Sequence, residues 1–193
     1  MTQFTLNDVE VGTRLYEALV HQARSTGGEP IEYGELLTLA RSLHPKDAVL
    51  GRAVPVGIGM KLLFVEAFCS QHGCPNLACL AVNKGSQRPG PGYKGDWEAD
   101  RRAVAGFDWS AASAQLPLYA DTIRATVPAR LKPRGERPAD VAWYAYFCSH
   151  RAACQKVTQE DKKEIINLLM AGLDPETALK RVLAAKDQLE SAS

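Results

Sequence analysis

The chain has 193 residues, of which 46% are apolar and 23% charged, with a formal net charge of +1. That composition excludes a disordered chain and gives no global electrostatic attraction to nucleic acid, so any such role must reside in local patches. No run of residues approaches the roughly 18 uninterrupted apolar positions of a membrane span, and "MTQFTLNDVEVG" carries acids and no basic segment, so it does not read as a signal peptide. The five cysteines (Cys69, Cys74, Cys79, Cys148, Cys154) are an odd number outside a secretory context and read as reduced thiols in a cytoplasm.

The spacing of Leu15, Leu19, Val20 and Ala23 predicts a first helix over 8–25, stopped by Gly27 and Gly28. "EPIEYGELLTLARSL" predicts a short extended entry and then a helix carrying Leu36, Leu37, Leu39 and Ala40. "KDAVLGRA" suits two helical turns between Pro45 and Pro55. From Val56 to Gln71 the chain is apolar almost all round, the pattern of a helix buried on most sides, with Gly57 and Gly59 permitting close approach and Gly73 as a stop. "NLACLAV" is short and bounded by Pro75 and Gly85, so it reads as a buried strand, with 84–95 as a loop or hairpin tip.

A helix is expected within "DWEADRRAVAGFDW", and helical character on both sides of Pro117. Residues 127–138 have the composition of a basic linker. Three helices are expected after it: one over about 139–156, one N-capped by Thr158 and ending before Gly172, and one with Asp174 as N-cap and Pro175 at its first position. The organisation is therefore an α+β part over 1–126, a linker over 127–138 and helices over 139–193. The order of elements in the first part is that of a winged helix, whose hairpin would be the wing.

"IEYGELL", "GRAV", "CLAV" and "PGPGY" resemble, over about 60 residues, the DNA-binding domain of O6-alkylguanine-DNA alkyltransferases. The matching positions are Tyr33 to Leu36, Arg52 to Val54, Cys79 and Val82, and Gly92 with Tyr93. The resemblance implies a winged-helix scaffold. It does not extend to the chemistry, because Ala78, Leu80 and Ala81 stand where the family has the Pro, His and Arg around its reactive Cys. A thiol reacts as thiolate and needs a base, a cation or a helix N-terminus beside it, so Cys79 reads as a small core residue.

Cys69, His72, Cys74 and Cys79 lack the paired C-x2-4-C units of a zinc site, so no metal or other cofactor is expected. The glycines match neither a P-loop nor a dinucleotide fingerprint. Glu32 and Glu35, or Asp96, Glu98 and Asp100, do not make a metal nuclease: Val82 occupies the acid position two before Lys84. None of the four histidines lies in a catalytic motif.

Positive charge is concentrated in two segments. Lys84, Arg88 and Lys94 stand in an acid-free stretch over 74–95, and residues 124–137 hold five bases against Glu136, a local net of +4. A wing and an arm that grip phosphate would need that arrangement; two solvated loops would also carry it. "VAWYAYFC" packs Trp143, Tyr144, Tyr146 and Phe147 into two turns, either to close a helical core or to meet a partner protein.

The leading expectation is a cytoplasmic, non-enzymatic accessory or regulatory protein that contacts DNA through Arg52, Lys84, Arg88, Lys94, Arg130, Lys132, Arg134 and Arg137, with the C-terminal helices meeting a protein partner. The alternative is a protein-binding inhibitor or accessory factor of the kind mobile genetic elements carry. A nuclease or transferase with an unorthodox site is the third reading.

Overall fold

A computed structural model describes residues 4–128 and 131–191. Helix α1 (Leu6–Thr26) is the central rod. It starts at a reciprocal cap: the Asp8 amide donates to Thr5 Oγ1 at 3.2 Å, and the Thr5 amide donates back to Asp8 Oδ2 at 2.9 Å. Its buried positions spread well beyond the one face that the periodicity marks, because neighbours pack on it from several sides.

Those neighbours are α2 (Tyr33–Leu43), α3 (Ala48–Arg52), α4 (Ile58–Gln71), α5 (Trp97–Gly106) and α6 (Trp109–Thr126). Side-chain caps from Asp47, Asp96 and Asp108 start α3, α5 and α6. Helix α6 runs through Pro117, held against the core by Leu116, Tyr119 and Ala120 on either side of it. Gly12 lets α4 approach α1: a Cβ there would lie 2.7 Å from the Phe64 ring.

The first apolar core lies among these helices, with Tyr16, Phe64, Phe68, Trp109 and Tyr119 in edge-on or tilted contact. A second core is built by α7 (Glu136–Ser149), α8 (Gln159–Met170) and α9 (Pro175–Ser191), with Val56 inserted from the short 3-10 turn Pro55–Gly57. Thr158 and Asp161 cap α8 reciprocally, and Asp174 accepts from the Thr177 amide at 2.9 Å at the start of α9. Helix α7 already begins at Glu136, which shortens the expected linker. It ends at Ser149, and the chain then turns so that Cys154 enters the second core.

The α+β winged-helix expectation is overturned. The described chain is 69% helical and 2% strand. "LACL" is a 3-10 turn over Leu77–Leu80, started by the Asn76 side chain, which accepts from the Ala78 amide at 3.1 Å. Only Ala81–Val82 is extended (β2), and it pairs in parallel with the upstream Ile31–Glu32 (β1), in register Ile31↔Ala81. A wing needs a return strand antiparallel to the first. Here residues 83–88 close on themselves instead: the Asn83 amide donates to the Arg88 carbonyl and the Gln87 amide to the Asn83 carbonyl, both at 2.9 Å. The apolar run is buried on every side, and in that situation periodicity does not separate a strand from a helical turn. Among the described residues, no helix is long and apolar enough to cross a membrane.

Because Phe64 and the Lys61 carbonyl close over Gly12, Gly12→Val should overpack the α1–α4 contact. We expect a loss of about 1–3 kcal/mol, read as a lower urea midpoint at unchanged m-value.

Candidate interaction surface

Three buried charges and one partly buried arginine hold the C-terminal helices on the N-terminal ones. Lys61 of α4 is 1% exposed and Asp8 of α1 is 0% exposed. The Lys61 ammonium donates to Glu164 Oε1 of α8 at 2.5 Å and stands 3.9 Å from Asp8 Oδ1. Arg181 of α9 donates to both Asp8 oxygens, at 2.6 and 2.7 Å. Asn167 Nδ2 lies 3.3 Å from the second Glu164 oxygen and also donates to the Arg52 carbonyl at 3.0 Å.

Gly57 makes room for this arrangement, since a Cβ there would overlap the Glu164 carboxylate. Burial pushes the Asp8 carboxyl up, but the Arg181 and Lys61 charges outweigh it and hold the group below the ordinary carboxylate value.

Docked in this way, α8 and α9 support α7 from one side. Ala139 and Trp143 of α7 face inward, and the Trp143 and Tyr146 rings stack with centroids 6.0 Å apart. The opposite face is bare: Val141 is 61% exposed and Tyr144 68%, while Phe147, 38% exposed, sits at its edge with its ring 6.2 Å from that of Trp143. Arg137, Val141, Tyr144, Cys148 and Arg151 are all exposed, and their spacing of four, three, four and three residues is that of one helical stripe, continued by Arg151 just past the end of α7. The stripe is apolar in the middle and cationic at both ends. Asp140 does not offset those cations, because it pairs with Lys162 of α8 at 2.9 Å.

The residues expected to contact DNA are placed as follows. Arg52 ends α3 beside α8. Lys84, Arg88 and Lys94 are exposed in the loop after β2. The Arg88 guanidinium lies over the Trp97 ring at 4.4 Å from its centroid, with Arg101 at 5.1 Å from the same ring. Lys84 opens onto a groove that also holds Glu32, Glu35, Glu160, Asp161 and Glu190. Lys132, Arg134 and Arg137 stand at the far end of α8, where the Arg134 amide donates to the Met170 carbonyl at 2.9 Å. Arg130 lies outside the described residues. Helix α8 has 12 residues. At ~1.5 Å per residue it is roughly 18 Å long, with Lys84 across a groove from its start and Arg134 at its end.

Cys69 and Cys79 are buried, and burial pushes both thiols up to about 12, far from a reactive thiolate. The His72 ring nitrogen Nδ1 is 2.9 Å from the Phe68 carbonyl of its own helix. Among the described residues, no three His, Cys, Asp or Glu side chains converge as metal ligands. Asp8, Lys61, Glu164 and Arg181 were not singled out by sequence reasoning. The usable signal was Lys61, a single cation inside the apolar run of α4. Comparison with protein-family models, with curated proteins and with solved structures finds nothing that matches this chain.

Lys61→Met should lower stability by about 3–5 kcal/mol, because it leaves Glu164 buried without its cation. Pairing it with Glu164→Met should recover much of that loss, which a double-mutant cycle in urea would read as coupling. Asp8, with its folded value depressed, contributes stability that is complete above its unfolded value of about 3.9 and is lost as pH falls through the lower folded value. The melting temperature of the native chain should therefore fall below about pH 4 more steeply than that of an Asp8→Asn variant.

Proposed function

We propose that the chain is a non-enzymatic accessory protein whose bare α7 stripe receives a helical segment of a partner protein. The observation that carries this reading is the exposure of Val141, Tyr144 and Phe147 on a helix whose other face is already packed. An aromatic and aliphatic row on a supported helix is the usual anchor of a helix-binding surface. Arg137 and Arg151 at its ends select a partner segment that is apolar in the middle and acidic at both ends.

Nucleic-acid contact remains a second reading, supported chiefly by the neighbouring Lys132, Arg134 and Arg137 and by the exposed Lys94. The other expected bases support it less: Arg88 is engaged on Trp97 and Lys84 faces carboxylates.

The test uses a fluorescein-labelled amphipathic peptide with leucines at helical spacing and glutamates at both ends, titrated with the full chain by anisotropy. Saturable binding is expected, weakened about tenfold or more by Val141→Ala with Tyr144→Ala, and weak for a peptide with lysines in place of the glutamates. A labelled DNA duplex that binds while the acidic peptide does not would reverse the order of the two readings.

A further inference from the structure

The seam between the two cores is not filled. Between α4, α9 and the loop after β2 lies a cavity of about 360 Å³. Its apolar walls include Leu62 and Leu63 of α4, Val182 and Ala185 of α9, and Pro91 and Tyr93 of the loop. The rim is held at two points: the Gly90 amide donates to Tyr33 Oη at 3.2 Å, and Tyr93 Oη donates to the Asp100 carboxylate of α5. Size, apolar lining and a pinned rim are the attributes of a preformed small-molecule site.

Charge decides what it would hold. Three charged side chains line the cavity: Arg181, Glu164 and Glu66. Arg181 is committed to Asp8, and Glu164 to Lys61 and Asn167. Asp8, Lys61, Glu164 and Arg181 together sum to zero. Glu66 is half-buried and has no hydrogen-bond or ion-pair partner among the described residues. It follows Gly59, Leu62 and Leu63 at helical spacing, so these cavity-lining positions share one side of α4. The cavity therefore carries one carboxylate without a counter-charge, set beside an apolar space.

We propose that this cavity binds a small amphipathic amine: an apolar body between α4 and α9, with a protonated amino group on Glu66. An anionic or purely apolar molecule would leave the carboxylate unpaired.

The experiment titrates the full chain with decylammonium and with decanoate, each below its micelle-forming concentration, by calorimetry and thermal melting. One saturable decylammonium site per chain and a raised melting temperature are expected, with decanoate weaker by about tenfold or more. Glu66→Gln should abolish that preference while the melt stays cooperative. Gly59→Phe should block both probes, and it should fold, because a Cβ at Gly59 meets nothing within 4 Å. Equal affinity for the two probes in the native chain, no saturable binding, or a preference that survives Glu66→Gln would each overturn the proposal.

Discussion

A lysine ammonium enclosed by four helices organises this molecule. Lys61 sits on α4 and meets carboxylates from α1 and α8, while Arg181 of α9 completes the neutralisation of Asp8. Taking such groups out of water costs several kcal/mol per ion, so the arrangement is tolerable only when every member is present and in place. That condition makes the C-terminal helices more than an appendage. Without Glu164 and Arg181, Lys61 would have Asp8 as its nearest counter-charge, 3.9 Å away, and Asp8 would keep only the Thr5 cap besides. The specificity lies in position: apolar surfaces slide against one another at little cost, whereas paired buried charges accept one register.

The rest of the architecture follows from that register. Glu164 can reach Lys61 only past Gly57, so the turn before α4 has to be bare at that residue. The same turn carries Val56 into the second core, joining the halves by apolar packing beside the charges. With α8 and α9 fixed, α7 has one face to pack and one to spare, and the spare face presents Val141 and Tyr144, with Phe147 at its edge. The seam that the charges hold together is also where the cavity remains, lined by the neutralised Glu164 and Arg181 and by the uncompensated Glu66. The bare face of α7 and the cavity thus both arise from how α8 and α9 are docked.

Local signals in the chain were read well where they depend on nearest neighbours. Thr158, Asp174 with Pro175, and the glycine after α1 are capping and terminating residues whose chemistry acts within one turn, and they stand where that chemistry requires. The 77–82 segment was misread for a physical reason. A run enclosed on all sides is apolar at every position, so neither a period of two nor one of 3.6 is written into it, and the outcome turned on the Asn76 side chain closing a 3-10 turn. The wing went with it, because a hairpin needs a partner strand downstream and β2 finds its partner upstream in Ile31–Glu32.

The amino-acid order alone determined that the chain would be rich in capped helices, that Cys79 would have no activating neighbour within a few residues, and that its bases would gather near 84–94 and 124–137. All of these are properties of composition and of contacts within a few residues. Only the tertiary structure decided that Lys61 is buried and paired, that Lys84 lies near the start of α8 and Arg134 near its end, and which aromatics of "VAWYAYFC" pack and which face outward. The pairing of Asp8 with Arg181 spans 173 residues and that of Lys61 with Glu164 spans 103. Whether a charge is a solvated surface group or a buried clamp is set by which distant helix arrives beside it, and no local pattern records that arrival.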